Sequence, residues 1–205
     1  MSRNNELENI IQSIFEASYL KRIKRSGTNL LLGVPDSESI PEHTFYACLW
    51  ALVLSHLNSK LDKAILLAMC LIHDLEEVRT GDLNLINKIY HPNNLETKAF
   101  SDMWKGSKLG KTLSKIQYER IQGKSLEAIY ASDCDYLSEL LLEKEYYEKG
   151  VKEAKEWMNF TYKRLKTILG KKIARKINRT RMTKWWEEIK NKIRKKHKVK
   201  PVKYA

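Results

Sequence analysis

Few residues in this chain are of a type and spacing that could do chemistry. Of the histidines His43, His56, His73, His91 and His197, one is followed at once by a carboxylate, in the pair His73-Asp74. That pair stands near the end of an apolar segment whose Ala64, Leu67, Ala68 and Leu71 fall on one helical face, expected to be the buried one. An imidazole and a carboxylate at the edge of a core are costly unless something compensates them. A divalent metal would do so, since neutral imidazole nitrogen and ionised carboxylate oxygen both suit such ions. His43 is the natural companion, and a carboxylate from a later helix would complete the set, with Asp133 and Asp135 as candidates. His56 and His91 read as surface or turn residues.

Positioning these groups falls to helices, because the apolar spacing is helical nearly throughout. Leu7, Ile10, Ile11, Ile14 and Phe15 form one amphipathic stretch, followed by a looser segment from Lys24 to Glu38 with Gly27, Gly33 and Pro35 as breakers. Ser39-Ile40-Pro41-Glu42 has the form of a capping box opening a helix to about Leu57, with His43 in its first turn. Ser59 to Asp62 repeats the pattern and opens a very apolar helix from Lys63 to about Val78, ended by Thr80-Gly81-Asp82. The short connection between the two predicts antiparallel packing, which sets His43 beside His73-Asp74. Shorter helices are expected over Leu95–Trp104 and Lys111–Gln122, then a long one from Leu126 to about Lys149. Beyond Val151 the apolar spacing continues, with Trp185-Trp186 expected as core anchors and only His197–Ala205 frayed. The fold class is all-α, divided into residues 1–150 and a basic helical extension, 151–205, packed on them.

The order His43, His73-Asp74, Asp135 resembles that of the HD superfamily of metal-dependent phosphohydrolases, and within it the 5′-deoxynucleotidase-like branch. Four segments carry the likeness: Leu20 to Gly27, Glu38 to His43, Leu71 to Asp82 and Ser132 to Leu137. The resemblance implies an HD helical bundle with His43, His73, Asp74 and Asp135 as ligands of one divalent metal. It favours Asp135 over Asp133 because a variable and then an apolar residue follow it, as in Asp135-Tyr136-Leu137. By the same matching Glu77 is the catalytic acid, Asp82 a substrate-side or water-positioning carboxylate, and Arg25 a phosphate contact. Mn, Co, Fe, Ni, Mg and Zn all suit the ligand set. The branch usually has Trp after the Arg-x-Gly step, where this chain has Thr28-Asn29, so an apolar wall near the substrate is expected to be missing.

The implied activity is hydrolysis of a phosphate ester of a nucleotide, foremost the conversion of deoxyribonucleoside monophosphates to deoxynucleosides. A dNTP triphosphohydrolase on the same site is the first alternative. A nucleic-acid-binding HD protein or nuclease, holding the polymer on the basic C-terminal region, is the second.

Composition narrows the setting. The chain has 205 residues, 42% hydrophobic and 31% charged, enough for a packed core, and its 8 Gly and 4 Pro are too few for turn-rich β folds. Net charge is +13, but unevenly distributed: Tyr147–Ala205 carries 21 Lys and Arg against 5 Asp and Glu, a net of +16, whereas Met1–Tyr146 is at −3. The basic excess therefore belongs to one segment, read first as a solvated face of packed helices and then as a nucleic-acid contact. Cys48, Cys70 and Cys134 are scattered in apolar stretches, as reduced thiols would be, and no apolar run reaches membrane-spanning length, so a cytoplasmic location is expected. Expected partners are a nucleotide substrate, nucleic acid at the basic C-terminal region and a second copy in a homodimer, with no membrane.

Overall fold

Ser39 starts the helix that brings His43 into the core. Its side chain accepts from the third helical position while Glu42 accepts from the Ser39 backbone, so the box read in the sequence is formed. In the computed structural model, which describes residues 3–92 and 94–197, eleven α-helices follow one another. They are α1 (Arg3–Ala17), α2 (Ile40–Leu57), α3 (Lys63–Ile72), α4 (Glu77–Thr80), α5 (Leu85–Tyr90), α6 (Leu95–Met103) and α7 (Lys108–Gln122). Then come α8 (Leu126–Glu148), α9 (Ala154–Arg164), α10 (Ile168–Arg179) and α11 (Lys184–Lys196). The all-α class holds: among the described residues there is no strand, only an isolated antiparallel bridge between Lys24 and Ser39. That bridge pins Arg25 to Glu38 at the entrance of α2, with the Arg25 N–H donating to the Glu38 carbonyl over 2.9 Å. The fraying expected over His197–Ala205 falls, but for His197 at the end of α11, on positions 198–205, which lie outside the described residues.

The 23-residue α8 is the central post, packed against α2, α3, α7, α9 and α10. Leu54, Leu66, Met69, Leu137 and Leu140 are fully buried around it, each such side chain contributing about 1.5–3 kcal/mol. The helices facing α8 are apolar on more than one side, and on α3 the stripe that points inward differs from the one expected. On α3 the buried residues are Leu66, Met69, Cys70 and Ile72, while Ala64 and Leu71 are exposed. On α2 they are Ile40, His43, Ala47, Ala51 and Leu54, with Phe45, Leu49 and Leu52 exposed. Small residues at 47 and 51 let α2 approach α8 closely, which a stripe of Phe and Leu would prevent.

The apolar helix also ends earlier than its sequence suggests. α3 stops at Ile72, and from there the amides of Leu75, Glu77, Val78 and Arg79 bond three residues back instead of four. The His73 carbonyl is instead taken by side chains from α7, accepting from Arg120 Nη2 at 3.2 Å and Gln117 Nε2 at 3.4 Å. This tightened turn holds His73-Asp74 at a break between α3 and α4. The chain leaves α4 through Gly81 at φ 72°, a left-handed conformation that side chains disfavour.

Two amphipathic segments form helices without burying their apolar stripes. On α1, Leu7, Ile11, Ile14 and Phe15 are exposed, and the helix is anchored by Ser13, whose hydroxyl donates to the Met103 carbonyl over 2.7 Å. Trp185 and Trp186 are not core anchors: they are 71% and 41% exposed, and α11 has no buried residue. The core over α8 is already closed by α9 and α10, which leaves α11 only the rim of a groove lined by Leu141, Ile173 and Ile177. No described helix is long and apolar enough to cross a membrane.

Candidate active site

Three donor atoms meet where the first turn of α2, the end of α3 and the first half of α8 converge. A nitrogen each of His43 and His73 and a carboxylate oxygen of Asp135 lie within 4.8 Å of one another. His43 Nε2 is 3.0 Å from Asp135 Oδ1, and His73 Nε2 is 3.8 Å from the same oxygen. Asp74 Oδ2 flanks the group at 3.1 Å from His73 Nε2 and 3.9 Å from His43 Nε2.

The outer nitrogens of both rings are engaged. His73 Nδ1 lies 2.7 Å from the Cys70 carbonyl, an acceptor that only an Nδ1–H can satisfy. In the neutral ring Nε2 is then the lone-pair nitrogen, and it is buried with no hydrogen-bond donor, 3.1 Å from Asp74 Oδ2. His43 Nδ1 lies 3.2 Å from the Ser138 hydroxyl, which itself donates to the His43 carbonyl, and 3.4 Å from Glu38 Oε1. Outer hydrogen bonds of this kind orient histidines that ligate metals. A lone pair buried without a proton donor is what a cation would use, so the residues fit a divalent metal on chemical grounds.

The charges agree. Burial and the nearby Arg25 oppose protonation of His43, yet Asp135 and Glu38 outweigh them and push its pKa up to about 9. Burial would likewise raise Asp74 and Asp135, but the imidazoles hold both well below the usual carboxylate range, Asp74 with help from Arg25. The donor set thus attracts positive charge, and a metal would replace a proton there.

A family model described as an HD domain matches residues 17–178. The chain belongs to the HD-domain family. Its fold is similar to that of the PH0347 protein from Pyrococcus horikoshii, with TM-score 0.69 and 26% identity over 82% of this chain and 98% of that one. It is similar also to a conserved hypothetical protein from Pyrococcus furiosus, with TM-score 0.70 and 26% identity over 83% and 99%. A structure named "predicted metal-dependent phosphohydrolase", from Magnetospirillum magnetotacticum, shares the fold at TM-score 0.66 and 21% identity over 84% and 90%. No curated protein matches the chain.

In this HD domain Asp133 and Asp135 have opposite fates. Asp133 is fully buried on another face of α8, where it accepts from Lys166 N at 2.7 Å, Thr167 N at 3.0 Å and Thr167 Oγ1 at 2.6 Å. It ties down the α9–α10 junction, and Gly170 makes room for it: a Cβ there would lie 2.3 Å from Asp133 Oδ2. Only Asp135 reaches the histidines.

The other residues singled out in the sequence gather around the donor set. Arg25 Nη1 is 3.3 Å from both Asp74 Oδ2 and Asp82 Oδ1, and its Nη2 is 3.1 Å from Glu139 Oε1. Asp82 also accepts from the Ser26 backbone N–H, which fixes the Arg25 turn against α4. Glu77 is buried, its Oε2 has no partner, and burial with the charges of Asp74 and Asp82 pushes its carboxyl well up.

Arg25, Asp74, Glu77, Asp82 and Asp135 line one cavity of about 360 Å³, within the usual range of small-molecule sites. Eight carboxylates face it against three cations, Arg25, Lys88 and Arg164. The ionised Asp74 and Asp135 among them would repel an anionic ligand unless a further cation were present, which again favours a metal.

The far wall was not read from the sequence. Glu139, Leu142 and Glu143 of α8 and Trp157, Phe160, Thr161 and Arg164 of α9 line the same cavity. An apolar wall is therefore present despite Thr28-Asn29, supplied from α9. Glu139 and Glu143 follow Asp135 at i+4 and i+8, a spacing that signals one helix face. Nothing local in the sequence of α9 marks it as part of the site.

Proposed function

We propose that the protein is a metal-dependent phosphohydrolase that removes the 5′-phosphate from deoxyribonucleoside monophosphates. One observation carries the reading: the buried Nε2 of His73, which no hydrogen-bond donor reaches, gathered with His43 Nε2 and Asp135 Oδ1 beside Asp74, with Asp74, Asp135 and Arg25 lining one cavity. The name of the Magnetospirillum structure supports the coarser part of it, a metal-dependent phosphohydrolase. A divalent ion held by His43, His73, Asp74 and Asp135 would polarise the phosphoryl group and acidify a bound water.

The protein's own residues supply the remainder. Arg25 offers N–H donors to a phosphate oxygen beyond those engaged by Asp74, Asp82 and Glu139. Glu77, held protonated by burial and by its acidic neighbours, can pass a proton to the leaving sugar oxygen. Asp82 keeps the Arg25 turn in place and presents a carboxylate to the cavity.

The test is a screen of deoxynucleoside mono-, di- and triphosphates with each candidate metal, comparing wild type with Asp74→Ala and Glu77→Ala. Monophosphate turnover that disappears in both variants is expected. Equal turnover in all three proteins would refute the site, and release of triphosphate from dNTPs alone would replace the monophosphatase reading.

A further inference from the structure

The distal wall of the cavity plays no part in the chemistry above, yet it has the makings of a recognition site. Trp157, Phe160, Thr161 and Arg164 stand at i, i+3, i+4 and i+7, one face of α9, and all line the cavity. Trp157 is half-buried and rests against the Arg25 turn: a Cβ on Gly27 would lie 3.5 Å from its ring. Phe160 is 50% exposed, at the outer side, with the Arg164 guanidinium 5.6 Å from its ring centre. Opposite, on α8, Glu143 is 4% exposed. Thr161 Oγ1 donates to its Oε1 over 2.8 Å, and its Oε2 is buried with no partner at all. A buried polar atom left without a partner is rare in folded proteins. Eight residues along α8 separate Glu143 from Asp135, about 12 Å of helix, too far for a group on the phosphate itself.

We propose that Glu143, Trp157 and Phe160 form a subsite for the leaving group of the phosphate ester, and that it takes a flat heteroaromatic ring with a hydrogen-bonding edge, of the nucleobase class. The proposal rests on the phosphohydrolase reading for the word "substrate", but the subsite itself is independent of hydrolysis. The aromatic faces supply stacking, which every base accepts. Burial and the neighbouring Glu139 push the Glu143 carboxyl up to about 8. In its neutral form it offers one donor and one acceptor without placing a charge beside the ring.

The test compares dAMP with glycerol 3-phosphate, an ester without a ring, by steady-state kinetics on the full-length metal-loaded protein. Trp157→Ala is expected to raise the KM for dAMP about tenfold with little change in kcat, and to lower the selectivity for dAMP over glycerol 3-phosphate to a similar degree. Trp157→Phe should restore most of the loss, which a merely structural role would not require. Glu143→Leu should raise the dAMP KM about fivefold, and Glu143→Gln, which keeps a donor and an acceptor, by less than about twofold.

Equal losses on both esters, or no preference for dAMP in wild type, would overturn the subsite while leaving the phosphohydrolase reading intact. Calorimetric titration of the full-length metal-loaded protein with deoxyadenosine, which carries no phosphate, separates the two ideas in the other direction. Binding weakened about tenfold by Trp157→Ala supports the subsite even if no ester is hydrolysed. No binding of deoxyadenosine to wild type would overturn it.

Discussion

The cavity has two ends built from the same kind of residue. At the inner end, Asp74 and Asp135 are held well below the usual carboxylate range by two imidazoles, with Arg25 also beside Asp74. At the outer end, Glu139 and Glu143 are raised by burial and by other carboxylates, and Glu77, close to the inner end, is raised in the same way. Burial opposes charge at both ends, so neighbours decide the outcome. Ionised carboxylates beside imidazoles suit a cation, whether a proton on the rings or a metal in its place, whereas the raised carboxyls of Glu77 and Glu143 suit proton transfer and the recognition of a neutral group. One helix, α8, provides members of both sets at successive turns.

The sharpest way to break this contrast is to remove the ionised end. Asp74→Ala or His73→Ala is expected to lower phosphatase activity by at least about a thousandfold and to abolish binding of one equivalent of metal, read by elemental analysis. Retained metal stoichiometry in both variants would remove Asp74 and His73 from the ligand set. Next in size is the protonated carboxyl nearest the chemistry. Glu77→Gln should lower kcat about 10²- to 10⁴-fold while leaving metal content unchanged, and a loss seen only in KM would make it a binding group instead.

Asp133 supplies the control, being two residues from Asp135 and of the same residue type. Asp133→Ala leaves three donors around Lys166 and Thr167 without their acceptor. A stability loss of about 2–4 kcal/mol by denaturant unfolding, with metal stoichiometry preserved, is the expected outcome.

The smallest effect tests the outer end. Between its ordinary value of 4.5 and its folded value of about 8, Glu143 holds a proton in the native state that the unfolded chain has lost. Its contribution to stability is therefore complete at low pH and is lost as pH rises through that window. Glu143→Gln removes the titration, so its Tm should fall less than that of wild type from about pH 6 to about pH 9, by several degrees. Parallel curves for the two proteins would mean that Glu143 is ionised throughout.

Much of the site could be read without coordinates because its parts sit in ordered local patterns. The Ser39–Glu42 box places His43 in a first helical turn, and the order His43, His73-Asp74, Asp135 is recognisable as a set. Arg25, Glu77 and Asp82 follow from the same ordered segments and do line the cavity. The helix end at Ile72 was not legible, since Arg120 and Gln117, which capture the His73 carbonyl, lie on a distant helix. Nor was the exposure of Trp185 and Trp186, whose spacing resembles that of buried residues elsewhere in the chain.

By itself, then, the sequence determined that the protein is helical, where most helices begin, and which side chains could hold a metal. These are matters of capping, period and residue type, all local in the chain. Only the tertiary structure decided which stripe of the broadly apolar α2 and α3 turns inward, because small residues such as Ala47 and Ala51 win the core by fitting close to α8 and not by being the most hydrophobic. It showed what becomes of Asp133, which the resemblance had only passed over in favour of Asp135: two residues along a helix turn a side chain about 200° around the axis, so Asp133 faces the α9–α10 junction and Asp135 the histidines. It alone brought α9 to the cavity, because that contact depends on how α9 packs back on α8, a relation between distant segments that no local pattern encodes.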